Sequence, residues 1–187
     1  MEFRLDPDDL LSHKIILDKL DAARRQLESA VRMFFYDLDV VSQHTLISAA
    51  HGILYDLAKK RGIEGSIKDV RDSPLIRPDE KKLAMKAIYL PQNFFKHAHH
   101  DGGAKLVFHY GLSQMYLFDA LRLFILLGGR LTYLLKVFLM WFQLRYPDLL
   151  CFESGEEDLR MIREGANNPE VFKTLARALI ERRASKG

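Results

Sequence analysis

Residue types able to do chemistry concentrate in one stretch, Leu90-Pro91-Gln92-Asn93-Phe94-Phe95-Lys96-His97-Ala98-His99-His100-Asp101-Gly102-Gly103. Of the seven histidines, His97, His99, His100 and His109 lie close together in the chain. His97, His99 and Asp101 have the alternating spacing of a metal-ligand run, which would serve a metal-dependent hydrolase. The competing reading is a polar helix end entering a turn at Asp101-Gly102-Gly103. A histidine is favoured there by the helix dipole alone. With Cys151 the sole cysteine, neither a disulfide within the chain nor a multi-cysteine zinc site is possible.

Two further histidines, His44 and His51, share a helix face but stand two turns apart, roughly 11 Å along the axis. One metal ion cannot bridge them at ligand distances of about 2 Å. They read either as buried histidines with hydrogen-bond partners or as members of a polar pocket with Ser48, four residues from His44. Asp119 interrupts an otherwise apolar helix, and Arg122 follows three residues on, where the two can pair. The alternative is that Asp119 reaches another helix and orients a histidine. No nucleophile elbow, phosphate loop or dinucleotide fingerprint is present; Gly102-Gly103 and Gly128-Gly129 are isolated pairs.

The elements that must position these residues read as helices throughout. The expected fold is all-α, a single helical bundle of about six to eight helices over residues 1–187. Residues 1–150 would form the main bundle and 151–187 a C-terminal appendage packing on it. At 48% hydrophobic and 28% charged, the chain can bury a sizeable core beneath a charged surface. A net charge of +3 demands neither a nucleic acid nor an anionic membrane.

Asp6-Pro7-Asp8-Asp9 has the signature of a helix start. Ile16, Leu20, Ala23, Leu27, Ala30 and Phe34 then continue one apolar face. A second helix, expected to be central, runs from about Val40 to Arg61 and stops at Gly62. It carries one stripe of Val40, His44, Ile47, His51, Leu54 and Ala58, and a second of Leu46, Ala50, Ile53 and Leu57. Residues 62–77 read as a loop. Pro78 opens a third helix that Pro91 should end or kink, with a short helix over Gln92 to His99 after it.

Lys105 to Tyr110 alternates weakly enough for a short extended segment. Ser113 should cap the next helix, which Gly128-Gly129 breaks, and Pro147 should end the one after. Glu156 to Glu164 reads as short and charged. Asn168-Pro169 opens a last helix with Val171, Phe172, Leu175, Ala178 and Leu179 inward. The apolar region Leu121 to Phe142 is interrupted by Arg122, Arg130 and Lys136, so no membrane span is expected. The start of the chain lacks the build of a secretory signal, which with the lone cysteine fits the cytoplasm.

Ser42-Gln43-His44-Thr45-Leu46-Ile47-Ser48-Ala49-Ala50 and Asn93-Phe94-Phe95-Lys96-His97-Ala98 together resemble a group of bacterial all-helical proteins of no assigned activity. More weakly, the chain resembles the HEPN superfamily of helical bundles, many of them ribonucleases. Their motif pairs an arginine and a polar residue with a histidine a few residues on. In Gln92-Asn93-Phe94-Phe95-Lys96-His97 the polar residue is Asn93 and the histidine His97, while Gln92 stands at the arginine position. Glutamine cannot supply the permanent charge that a transferring phosphate needs. The histidine run is also similar to the HxHxD core of metallo-β-lactamases, with Gly102 where that motif has its last histidine.

These readings give three expectations. The first is nucleic-acid or anion binding of HEPN-like type, with His97 as the candidate catalytic residue. Asn93, Lys96, His44, Ser48, His51 and Asp119 are its candidate ligand-binding residues, and no cofactor is expected. The second is a non-enzymatic interaction or scaffold protein. The third is the metal-dependent hydrolase. A homodimer is expected, with RNA or a protein as further partner and no membrane.

Overall fold

The computed structural model describes residues 14–71, 77–97, 102–146 and 169–184. Among them are six α-helices and no strand: α1 (Lys19–Phe35), α2 (Val40–Lys60), α3 (Pro78–Phe94), α4 (Leu112–Leu126), α5 (Tyr133–Arg145) and α6 (Pro169–Ala184). The fold is an all-helical bundle. A single 3-10 turn, Asp69–Arg71, lies in the loop between α2 and α3. No described helix is long and apolar enough to cross a membrane.

The helix expected to begin at Asp6 and run through Ile16 instead starts at Lys19. The Asp6 cap itself lies outside the described residues. Asp18 takes an extended backbone and its carboxylate accepts the Asp21 amide at 2.7 Å. Ile16, 99% exposed, has no core to pack on, so its place in the apolar stripe carries no helix-forming advantage. From Ala23 the stripe is buried as expected through Leu27 and Ala30, but at its end Phe34 is half-buried while Val31 and Phe35, outside the expected stripe, are fully buried.

A short turn, with Asp37 at φ 50°, reverses the chain. Asp39 then caps α2 by accepting the Ser42 amide at 2.7 Å. The first two helices form the most extensive packing in the bundle, and α2 also packs closely on α4, so it is central. Ser48 and Ala50 are buried at mid-helix, where small side chains let neighbouring helices approach. Gly62, at φ 70°, ends the helix, and the Ile63 amide returns to the Ala58 carbonyl at 2.9 Å.

Pro91 does not end α3. The helix continues to Phe94, and the separate short helix expected over Gln92 to His99 is not formed across its described part, which turns at 95–96. Pro91 is buried, and the Tyr116 hydroxyl donates to the Ile88 carbonyl at 2.6 Å within the turn that the proline deprives of an amide. Residues 104–109 are irregular rather than extended into a strand.

Ser113 is not the cap of α4 but its second residue, buried and turned towards α2. Gly128 takes φ 87° after α4. A Cβ at Gly129 would stand 2.5 Å from the Phe124 ring, so this corner tolerates only glycine there.

Aromatic rings fill the space between α1 and α5, where Phe34 lies edge-on to Phe138 and to Trp141. In α6 the inward residues are Phe172 and Ala176, with Leu179 and Ile180 partly buried. Val171, Leu175 and Ala178, expected inward, are exposed. Two polar contacts fix this rotation: Lys173 Nζ pairs with Asp37 at 2.7 Å, and Arg177 Nε donates to the Phe35 carbonyl at 3.3 Å.

Candidate functional site

The stripe of α2 that faces α4 carries His44, Ser48 and His51 at successive turns, all of them buried. Helical spacing puts them in one line, and the line runs along the α2–α4 seam. On the opposing helix Ser113 meets His44, and Asp119 meets His51. Between the two pairs lies the Tyr116 ring, with its centroid 5.6 Å from the His44 ring and 5.2 Å from the His51 ring.

Asp119 is answered on both carboxylate oxygens. Its Oδ2 accepts from His51 Nε2 at 2.7 Å, Ser66 Oγ at 2.7 Å and the Ile67 amide at 3.1 Å. Its Oδ1 accepts from Arg122 Nε at 3.0 Å and Nη2 at 2.9 Å. Arg122 Nη2 also holds the Gly65 carbonyl at 2.7 Å, which ties the loop after α2 to α4. Burial alone would raise the Asp119 carboxyl, but these bonds, that of His51 foremost, hold it below the usual carboxylate range. An ionised carboxylate only accepts, so His51 Nε2 carries the proton. Burial lowers the His51 pKa despite Asp119, so the ring is neutral. Both alternatives weighed for Asp119 are therefore realised together, the arginine pair and the oriented histidine.

The loop that Arg122 ties down brings Lys68 into the same region. Lys68 is only 9% exposed, and its Nζ lies 5.6 Å from the Tyr55 ring centroid and 5.9 Å from that of Tyr89. Among the described residues no acceptor stands within hydrogen-bonding or ion-pairing distance of this ammonium. Burial pushes its pKa down; Asp56 opposes this, and the charge of Lys96 adds to it. Lys96 also acts on His44, whose pKa is lowered to about 4, chiefly by burial. The end of α3 thus presents a second cation near both His44 and Lys68.

Three side-chain atoms of the seam have no protein partner among the described residues: His44 Nε2, Ser48 Oγ and His51 Nδ1. Buried polar atoms are rarely left so. His44 Nδ1 is 2.9 Å from Ser113 Oγ, and its ring is set edge-on to Phe95, Phe108 and Tyr116. The His51–Asp119 pair has the arrangement of a general base with its orienting carboxylate. It is sealed, however: His51 is 0% exposed, and no hydroxyl is bonded to Nδ1.

Of the candidates named from sequence, His44, Ser48, His51 and Asp119 lie together in the seam, with Lys96 acting on it from the end of α3. Asn93 and His97 are exposed at that helix end, where the His97 amide bonds the Asn93 carbonyl at 3.0 Å. His99 and Asp101 lie outside the described residues. Among the described residues no three His, Cys, Asp or Glu side chains are grouped to hold a metal ion. Lys68, Ser66, Tyr55, Tyr89 and Tyr116 were not singled out from sequence, and Ser113 was expected only as a helix cap. Only Tyr55, one turn beyond His51, carried a signal. No family model, curated protein or solved structure matches this chain.

Proposed function

We propose that this protein binds a phosphate-bearing anion, of a nucleotide or an RNA strand, with Lys68 as the primary cation and Lys96 as the second. The observation that carries this reading is Lys68, a residue only 9% exposed, whose ammonium lies over the Tyr55 and Tyr89 rings with no acceptor within bonding distance among the described residues. A lysine held so is costly without an anion, and a phosphate would offset that cost with charge-assisted hydrogen bonds. Tyr55 and Tyr89 bracket the ammonium with flat apolar faces, the side-chain type on which nucleobases stack. The HEPN-like resemblance leads to the same ligand chemistry.

In this reading His51 and Asp119 position the loop that carries Lys68 and take no part in chemistry. His97, exposed beside Lys96, is the residue through which ribonuclease activity would run, as general acid or base on the bound phosphate.

Calorimetric titration at low salt with inorganic phosphate, a nucleoside monophosphate and a short single-stranded RNA tests the proposal. Lys68→Met should weaken binding about tenfold or more, the loss expected for a charged hydrogen bond of about 2 kcal/mol. Unchanged affinity in that variant overturns it. RNA cleavage lost in His97→Ala supports a ribonuclease, and equal cleavage in both proteins ends that version. If nothing binds, the scaffold reading takes its place.

A further inference from the structure

A cavity that shares no lining residue with the α2–α4 seam lies between the C-terminal half of α1, the start of α5 and the C-terminal half of α6. Its volume is about 570 Å³, within the range of small-molecule sites. Leu131, Leu134, Leu179 and Ile180 make its walls apolar. The charged residues that line it, Arg32, Lys136 and Arg182, are all basic, and no acidic side chain lines it among the described residues. Arg32 Nη2 pairs loosely with Glu28 at 3.7 Å, a carboxylate that Arg24 also holds, at 3.0 Å. Lys136 Nζ lies 5.7 Å from the Tyr133 ring centroid, where an aromatic face is its only described partner.

Two features at the mouth of α5 point the same way. Thr132 occupies the N-cap position of that helix, yet its hydroxyl makes no capping bond. Thr132 Oγ1 is buried and has no partner among the described residues. Thr132 itself lines the cavity, so an unused hydroxyl and the positive end of a thirteen-residue helix stand at its wall. Apolar walls, a one-sign rim, a helix N-terminus and a spare hydroxyl call for one kind of guest.

We propose that this cavity binds an amphiphilic anion, an unbranched alkyl chain ending in a carboxylate. The chain lies against Leu131, Leu134, Leu179 and Ile180. The carboxylate faces Lys136 and Arg32, and a turn of the Thr132 side chain brings its unused hydroxyl round as a donor to it. The site is independent of the Lys68 reading and uses none of its residues.

The test compares dodecanoate, dodecanol and dodecyltrimethylammonium, each below its micelle concentration, by calorimetry and by chemical-shift mapping of the whole chain. Dodecanoate should bind one per chain and shift resonances of residues 131–136 and 179–182. Dodecanol should bind about tenfold more weakly or less, and the cation not at all. Lys136→Glu, at an exposed position in the first turns of α5, should weaken dodecanoate about tenfold, and Ile180→Trp should fill the space and abolish binding. Lys68→Met should leave it unchanged. Equal binding of acid and alcohol, or full affinity in Lys136→Glu, overturns the proposal. So does the absence of dodecanoate binding.

Discussion

The molecule draws two charged residues, Asp119 in the α2–α4 seam and Lys68 on the loop tied to it, out of the surface and treats them in opposite ways. Asp119 receives five donor bonds from three elements, α2, the loop before the 3-10 turn and α4 itself. Lys68, on that same loop, receives two aromatic faces and no oxygen among the described residues. A buried charge that is fully answered holds helices in register. A lysine drawn into the bundle with two rings over its ammonium, and only the more distant charges of Asp56 and Asp119 to oppose the cost, is stabilised too little to be explained by folding alone. The contrast separates a structural knot from a candidate binding group, although neither burial nor residue type distinguishes them.

The largest expected effect falls on the answered charge. Asp119→Ala strands His51 and Arg122 and frees the loop at Ser66 and Ile67. It should destabilise the fold by about 3–5 kcal/mol, read as the urea midpoint of unfolding. A loss under about 1 kcal/mol would mean the knot is not what aligns α2 and α4, and the comparison would fail on its structural side.

Part of this was legible before the fold was known. Asp119 and Arg122 lie three apart in an apolar helix, so their pairing needed only helical geometry. The line of His44, Ser48 and His51 followed from the same period. What the line faced did not follow, because Ser113 and Asp119 come from a helix about seventy residues on. Lys68 sat in a polar loop with nothing to mark it. Its burial comes from Arg122 gripping the Gly65 carbonyl, a contact between distant residues. The rotation of α6 failed for a related reason: Val171 and Leu175 were as apolar as Phe172 and Ala176, and the contacts of Lys173 and Arg177 with the α1–α2 turn favoured the second set.

Acid provides the next largest effect. The His44 pKa is lowered to about 4 by burial, against an ordinary value of 6.5. The unfolded chain therefore binds a proton that the folded chain refuses between those values. Stability is fully present above pH 6.5 and falls as the pH drops towards 4, by about 2–3 kcal/mol for this group. Asp119, its carboxyl held low, adds a further loss at more acidic pH as it protonates through its folded value. His44→Gln should lessen the slope between pH 6.5 and 4, where His51, its pKa also lowered by burial, keeps a share, and leave the more acidic limb in place. An unaltered slope in that variant would show that His44 is not the group refusing the proton.

Lys68→Met sharpens the contrast from the other side. Burial lowers the Lys68 pKa, so the protonated amine costs the folded state stability at neutral pH. Removing it should raise the unfolding free energy by up to about 1 kcal/mol, where removing Asp119 lowers it by several. A stabilised protein that no longer binds phosphate is the outcome expected of a ligand-binding lysine. A destabilised one would place Lys68 with Asp119 as a structural group.

The smallest expected change joins the two regions. Ser66 Oγ donates to Asp119 Oδ2 at 2.7 Å and accepts the Lys68 amide at 3.3 Å, so one hydroxyl touches the answered charge and the backbone of the unanswered one. Ser66→Ala leaves Asp119 with four donors, and the fold should lose only about 1 kcal/mol. The Lys68 backbone loses its one bond to the knot, and phosphate affinity should fall several-fold while the melting midpoint drops by only about 2–4 °C. A stability loss with unchanged affinity would show that Lys68 is held by its tyrosines alone, and the knot would then have no bearing on binding. An affinity loss with little change in stability would show that the carboxylate network serves the lysine by fixing where its loop can stand.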